Sequence, residues 1–532
     1  MFNNYLYRIL LLTVTGVFLM ITNCGKPYDT AIINGTIAGG DGNPVYKADI
    51  GIKGEKIVFI GKVPEEEAGE VIDASGLYVS PGFIDIHTHG DRGIDDIPTA
   101  DNYLLQGVTT IVGGNCGGHV YPLEEHFKKL KKHGIAINFC SLIGHNTVRQ
   151  EVMGLKMADP TPEEMEKMKE LVDQEMRAGA VGFSTGLAYM PGIYSKKEEI
   201  IELAGVVSKY GGFYASHIRD QGTEIVAAIE EAIEIGEKNG LPVQVSHIKL
   251  CIEENWGKPE KISGPVEAAR RRGVEVTTDQ YPYTATSSGF ASSFPAWSLE
   301  GGNDELVKRL KDPENYKKVK DALIERRLIS IKGIDKLKTI YIANYEKERS
   351  FEGKNLNEIL KMQGKEPNID NGADLIIEIQ KNGGASCVFF QMDEQDIAEI
   401  MNLEYNMIGS DGEILEYGKG FPHCRSYGTF PRVIGKYVRE KKAVSLESAI
   451  KKMTSLPAQT IRISGRGLIK EGLYADIVIF DLKTIKDSAT YQDPHQYPEG
   501  IRYVIVNGKV AAADGKPTGV LPGKIINGPG KK

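Results

Sequence analysis

The 532-residue chain has only ten histidines and six cysteines, and the cysteines are scattered. No two stand at the close spacing of a zinc finger, and a chain this long is not one of the short disulfide scaffolds. Positive charge is not in excess: 64 Lys and Arg against 72 Asp and Glu give a net charge of −8. With no long basic tract the chain lacks the footprint of a nucleic-acid partner, so no nucleic acid is expected. A small-molecule substrate fits better. The uncharged run Ile9 to Met20 is too short for a comfortable transmembrane span.

That run suits the apolar core of an export signal, with Arg8 before it and Ile21-Thr22-Asn23-Cys24-Gly25 behind it. A cysteine in that place resembles a bacterial lipoprotein signal, although Asn23 is less usual there than Gly, Ala or Ser. The resemblance implies removal of residues 1–23, lipid on the Cys24 sulfur and membrane attachment of a periplasmic or cell-surface protein. The alternatives are an uncleaved anchor or a signal cut elsewhere.

Residues 24–80 alternate short apolar blocks with Gly- and Asp-rich turns, as in Ala31-Ile32-Ile33 and Lys56-Ile57-Val58-Phe59-Ile60. The same style returns over 463–526, in Ile477-Val478-Ile479-Phe480 and Tyr503-Val504-Ile505-Val506. Neither half has much core alone, so the two ends are expected to pair into one small β-sandwich domain. The polar Gly/Pro/Lys tail, 527–532, is expected to be mobile.

From 81 to 462 the pattern becomes strand, polar residue, loop, helix. Eight candidate strands stand at 83–86, 108–112, 135–139, 180–183, 212–215, 243–245, 274–276 and 406–408. This predicts an α/β fold, a TIM-like (β/α)8 barrel. Thr161-Pro162-Glu163-Glu164 predicts a capping box with proline at the first helical position, and Ser195 with Glu198 predicts a second. About 130 residues separate the last two strands, too many for an ordinary crossover, so a subdomain is expected at about 290–385. Cys387-Val388-Phe389-Phe390 competes as a barrel strand.

Four of the ten histidines fall at strand ends, which converge on the mouth of such a barrel. His87 and His89, two apart, share one side of an extended strand. Cys116 sits in Gly113-Gly114-Asn115-Cys116-Gly117, where glycines let the backbone come close. His217 and His247 end the fifth and sixth strands. Cys116, His217 and His247 would hold one tight zinc ion (Zn2+) and leave a position for water, the arrangement of a catalytic site. His87 and His89, sharing Cys116, would form a second, weaker site. Asp411, in Gly409-Ser410-Asp411-Gly412, is expected to move the proton. Of the remaining histidines, His145, His119 and His423 are candidates to approach the mouth, His145 first.

At these residues the chain resembles the N-acyl-D-amino-acid deacylase, or D-aminoacylase, family of the amidohydrolase superfamily. The likeness runs through Pro81-Gly82-Phe83-Ile84-Asp85-Ile86-His87-Thr88-His89, Gly114-Asn115-Cys116-Gly117, Gly182-Phe183-Ser184-Thr185-Gly186, Ser216-His217-Ile218-Arg219 and Ser246-His247-Ile248-Lys249. It continues in Asp279-Gln280-Tyr281-Pro282-Tyr283 and Arg425-Ser426-Tyr427-Gly428-Thr429-Phe430. Many related hydrolases carry a metal-bridging lysine after the fourth strand; here Phe183-Ser184-Thr185 has none, and Cys116 matches the cysteine of this branch. The resemblance implies zinc-dependent cleavage of a linear amide with D stereochemistry, the substrate being an N-acyl-D-amino acid. It further implies that Lys249, Tyr283 and Arg425 hold the substrate's α-carboxylate, with Ser287 and Ser288 as weaker loop contacts. Cys424 stands where a proline is familiar, so that loop is expected to differ. The alternatives are a cyclic-amide hydrolase of the hydantoinase or dihydropyrimidinase type, and an inactive small-molecule-binding barrel.

Overall fold

The structure, a computed structural model, describes residues 26–531. The export signal and Cys24 lie outside the described residues. Among those described, no helix is long and apolar enough to cross a membrane.

Eight parallel strands form the central barrel: Phe83–Asp85, Val108–Gly113, Asn138–Gly144, Gly182–Gly186, Tyr214–His217, Val243–Val245, Val276–Gln280 and Asn406–Ile408. They neighbour one another in sequence order around one sheet. The barrel's seam closes at the C-terminal ends of the first and last strands. There the Asp411 N–H donates to the His87 carbonyl at 2.8 Å and the His89 N–H to the Gly412 carbonyl at 2.7 Å. Every residue of Val108–Gly113 is buried, as expected for a strand covered on both faces. Four strands, the third, fourth, fifth and seventh, start two or three residues later than the sequence suggests. Ile135 precedes the third and instead bonds the C-terminal segment, and the Val274 N–H caps the preceding helix through the Ala269 carbonyl.

Helix Pro162–Ala178 opens on the expected capping box. The Thr161 hydroxyl accepts the Glu164 N–H and the Glu164 carboxylate accepts the Thr161 N–H. Met168 and Met176 on its inner face are fully buried. The second box does not form. The next helix runs Lys197–Ser208, capped at Lys196, because the Ser195 hydroxyl donates to the Gly192 carbonyl at 2.7 Å and closes the preceding turn instead.

The N-terminal strands Tyr28–Ile33, Asp49–Lys53, Lys56–Gly61 and Ala68–Asp73 form a four-stranded sheet. A seven-stranded sheet joins both ends of the chain, Ile477–Phe480 lying against Tyr78–Pro81. Ile32, Ile50 and Ile57 of the first sheet share one core with Ile477, Ile479 and Ile505 of the second, so each end supplies the apolar face the other lacks.

Between the last two barrel strands, Ala285–Gly289, Ile340–Asn344 and Ser386–Phe390 make a three-stranded antiparallel sheet. Its core, including Leu306, Ile342, Leu360, Ile376 and Phe389, is separate from the barrel's. The competing strand at 387–390 belongs here, paired with Ala285–Gly289, and not in the barrel.

The C-terminal segment from Gly523 to Gly528, the latter in the expected polar tail, is a strap tied under the barrel by main-chain hydrogen bonds. The Gly523 N–H donates to Ile135, Ile526 to Phe139 and Gly528 to Gly179, each at 2.8 Å, while the Phe139 N–H donates back to Lys524 at 2.9 Å. A Cβ on Gly528 would stand 2.0 Å from the Ala180 carbonyl oxygen. Glycine here permits close backbone approach where composition alone suggests mobility.

Candidate metal centre and active site

Cys116 is the hub of the mouth. Its sulfur stands 3.3 Å from His87 Nε2 and 3.4 Å from His247 Nε2, and His247 Nε2 is 2.8 Å from His217 Nδ1. On the other side His89 Nε2 is 3.1 Å and His87 Nε2 3.5 Å from Asp411 Oδ1. Two clusters result: Cys116, His217 and His247, and Cys116 with His87, His89 and Asp411. In each, the ligand atoms lie within 4.8 Å of one another. A thiolate with imidazoles and one carboxylate is a donor set that fits zinc.

The backbone is bent to make this possible. Cys116, His247 and Asp411 have φ of 52°, 36° and 52°, in the left-handed region. Non-glycine residues there cost roughly 1–3 kcal/mol each and persist where the surroundings impose them. Gly114, at φ 73°, lies so close to the third strand that a Cβ would be 2.1 Å from the Leu142 carbonyl oxygen. Ser184, on the fourth strand, braces the same loop. It accepts the Gly117 N–H at 3.1 Å and donates to the Gly114 carbonyl.

A second layer of residues holds the ligands. Asp279 Oδ1 lies 3.3 Å from His87 Nδ1 and accepts the His247 N–H at 2.9 Å; its other oxygen accepts from Gln244 at 2.6 Å. Such outer partners fix imidazole orientation. Asp85 accepts the Ser410 N–H at 2.9 Å and the His87 N–H at 3.2 Å, linking the first and last strand ends. Its burial pushes its carboxyl up to about 7 despite those bonds.

Electrostatics sort the donors. Burial alone would raise the Cys116 thiol, but His87, His247 and His217 hold it well below the ordinary thiol range, which favours thiolate. Burial, then the Lys249 and His217 charges, push His247 down to about 3, so its imidazole is neutral. Against burial, Asp279 and Cys116 raise His87, while Asp411 and Cys116 raise His89 to about 9. Protons must therefore leave this pair before it ligates an ion. Burial would raise Asp411, yet the Arg425 guanidinium 2.7 Å away, with His247, His89 and His87, holds it well below the usual carboxylate range.

The cations expected to hold a carboxylate also face the mouth. Lys249 Nζ is 3.0 Å from Gln221 Oε1 and 2.9 Å from His247 Nδ1. Tyr281 lies between Lys249 and Arg425, which stand 5.4 and 4.8 Å from its ring centroid. Its hydroxyl, like that of Tyr283, is buried without a partner among the described residues. Tyr283 is placed behind it, 5.3 Å from the His423 ring and under the Arg432 guanidinium at 4.5 Å. Ser287 and Ser288 lie on the subdomain strand opposite Val388 and Cys387, and Ser288 Oγ is 3.1 Å from Ser292 Oγ.

The three further histidines do not join the metal clusters. His145 is paired with Glu199 at 2.8 Å. His119 accepts the Gly144 N–H at 3.0 Å. His423 accepts the Arg425 N–H at 3.0 Å and lies 2.9 Å from the Ala285 carbonyl, so it seats the arginine. Cys424, in the proline's place, has φ −62°, the value proline would impose. Sequence reasoning passed over Asp279 and Tyr281 as site residues because it ended the seventh strand at 276; the strand runs to Gln280, which carries both to the mouth.

Fold and site together define a metal-dependent hydrolase barrel. The chain belongs to the amidohydrolase family, whose model matches residues 70–311 and 368–512. It is similar to a D-aminoacylase of Alcaligenes xylosoxydans xylosoxydans, 33% identical over 524 residues, covering 94% of this chain and 98% of that one. It is also similar to the N-acyl-D-glutamate deacylase of Bordetella bronchiseptica. That structure, solved with zinc and a phosphonate mimic of the tetrahedral intermediate, superposes with a TM-score of 0.79 at 31% identity, covering 94% of this chain and 99% of that one. A dihydropyrimidinase from Brevibacillus agri, at 15% identity and a TM-score of 0.56 over 94% of this chain and 98% of that one, shares the fold.

Proposed function

We propose that this protein hydrolyses the amide bond of N-acyl-D-amino acids, giving a carboxylate and a free D-amino acid. The observation that carries this is Cys116 standing between two ligand clusters, with Asp411 in one of them and an arginine and a lysine beside them. D stereochemistry rests on the likeness to the D-aminoacylase and the D-glutamate deacylase.

Cys116, His217 and His247 would hold the tight zinc ion, and His87 and His89 with Cys116 a second, weaker one. Bound zinc supplies Lewis acidity, polarising the acyl carbonyl and making water a better acid. The protein supplies the rest. Asp411 accepts the attacking water's proton at a carboxylate oxygen and delivers it to the departing amine nitrogen. Arg425 grips the α-carboxylate with its two-pronged guanidinium, Lys249 adds a point charge, and the buried, unpartnered hydroxyls of Tyr283 and its neighbour Tyr281 are the directional donors. Asp279, 3.3 Å from His87 Nδ1, and Gln221, 3.0 Å from His247 Nδ1, keep the ligand imidazoles in place.

A cyclic-amide substrate has no free α-carboxylate for Arg425 and Lys249 to hold, and the fourth strand reads Phe183-Ser184-Thr185, without a lysine. The linear substrate is favoured. We also read residues 1–23 as an export signal and Cys24 as a lipid anchor, supported by the uncharged run Ile9 to Met20. Loss of labelled fatty-acid incorporation and of membrane association in Cys24→Ala tests the anchor; a variant still in the membrane fraction opposes it.

The reaction is tested by amine release from matched N-acetyl-D- and N-acetyl-L-amino acids, using protein beginning after Cys24, with and without a zinc chelator. Turnover of D substrates alone, abolished by chelation, is expected. Turnover of L substrates, or activity indifferent to chelation, would refute it.

A further inference from the structure

Arg327 belongs to the inserted subdomain, on the helical turn Ile324–Leu328. Its Nε donates to Ser293 Oγ at 2.9 Å and its Nη1 to Gln391 Oε1 at 3.3 Å. Its guanidinium carbon lies 5.2 Å over the Phe389 ring. These neutral partners fix its orientation and leave its charge uncompensated: among the described residues no carboxylate is paired with it. Gln391 is itself held by the Thr286 hydroxyl at 3.1 Å, so the fork rests on a fixed support.

The arginine's support borders the mouth: Met392, the residue after Gln391, lines a cavity together with Lys249, Leu250 and Tyr281. Through Gln391, Arg327 thus stands at the edge of the cavity that Lys249 lines, on the subdomain side. Lys249 has no carboxylate partner among the described residues either, and Arg425 is paired with Asp411 alone. Of the three cations, only Arg425 is paired with a carboxylate among the described residues. A buried cation without a counter-charge is costly unless a ligand supplies one.

We propose that Arg327 is a specificity-determining residue that binds a second carboxylate, that of the substrate's side chain, so that the preferred substrates are N-acyl derivatives of acidic D-amino acids. This rests on the deacylase reading above and deepens it. Arg425 and Lys249 take the α-carboxylate on the barrel side, and Arg327 takes the side-chain carboxylate on the subdomain side. A neutral side chain leaves the guanidinium without its partner and binds more weakly.

The test compares N-acetyl-D-glutamate and N-acetyl-D-aspartate with N-acetyl-D-glutamine and N-acetyl-D-leucine, in the zinc-loaded wild type, Arg327→Met and Arg327→Lys. The wild type should favour glutamate over its isostere glutamine by at least about tenfold in kcat/KM. Arg327→Met should lower kcat/KM on the acidic substrates by about 30-fold, mostly through KM, and change the neutral ones less than about threefold. Arg327→Lys should recover part of the loss. Zinc content and unfolding midpoint report whether each variant is folded. A wild type that prefers neutral D substrates, or a variant that lowers all substrates equally, overturns the assignment while leaving the deacylase reading intact. No turnover of any D substrate overturns both.

Discussion

Arg425 Nη1 and Asp411 Oδ2 stand 2.7 Å apart inside the barrel mouth, so the side chain set to hold the substrate's carboxylate also holds the side chain set to carry its proton. Binding and chemistry are therefore joined at one ion pair. Arg425→Lys keeps the charge but loses the two-pronged geometry, and kcat/KM should fall about tenfold or more, with KM raised and the amide still cleaved. Steady-state kinetics check this; an unchanged KM would separate Arg425 from the carboxylate.

Asp411→Asn removes the proton carrier without removing volume. Turnover should fall by about a thousandfold while fold and zinc at the tight site are retained. Metal analysis beside kinetics distinguishes this from simple loss of zinc. Near-normal turnover would take Asp411 out of the mechanism.

The strap under the barrel gives a stability prediction. Ending the chain after Val520 deletes the four main-chain bonds made by Gly523, Lys524, Ile526 and Gly528. At about 1 kcal/mol net apiece the barrel should lose several kcal/mol and unfold at a lower denaturant concentration. An unchanged midpoint would show that the strap is decorative.

Lys452 links stability to pH. Its ammonium is buried beneath the last strand, donating to the carbonyls of Leu403 and Asn406, and burial pushes it down to about 8. The unfolded chain binds this proton more tightly, so its burial costs stability below pH 8, and the cost is relieved as pH rises toward the unfolded value near 10.4. The stability of wild type relative to Lys452→Met should therefore improve by about 2 kcal/mol between pH 7.5 and 10. A difference flat with pH would contradict a depressed lysine.

The sequence shows the barrel clearly because each strand is a short apolar block and each ligand stands where the block ends. Cys116, His217, His247 and Asp411 can be picked out by position alone, and the structure brings them together with His87 and His89. Tyr281 and Tyr283 could not be ranked in the same way. They follow Gln280, beyond the strand, where alternation no longer says which side chain turns inward. The strap was invisible for another reason: its Gly-rich sequence has few side chains to bury, and it is held through its backbone. Arg327 reads in the sequence as one charge among many on a charged segment. Only the packing of Ser293, Phe389 and Gln391 around it shows that it is uncompensated.

The most direct measurement is zinc content and D-substrate turnover of Cys116→Ala beside wild type, each purified without added metal. Both ligand clusters pass through this sulfur, so the variant should lose bound zinc and activity together. A Cys116→Ala protein that keeps its zinc and its rate would contradict the account.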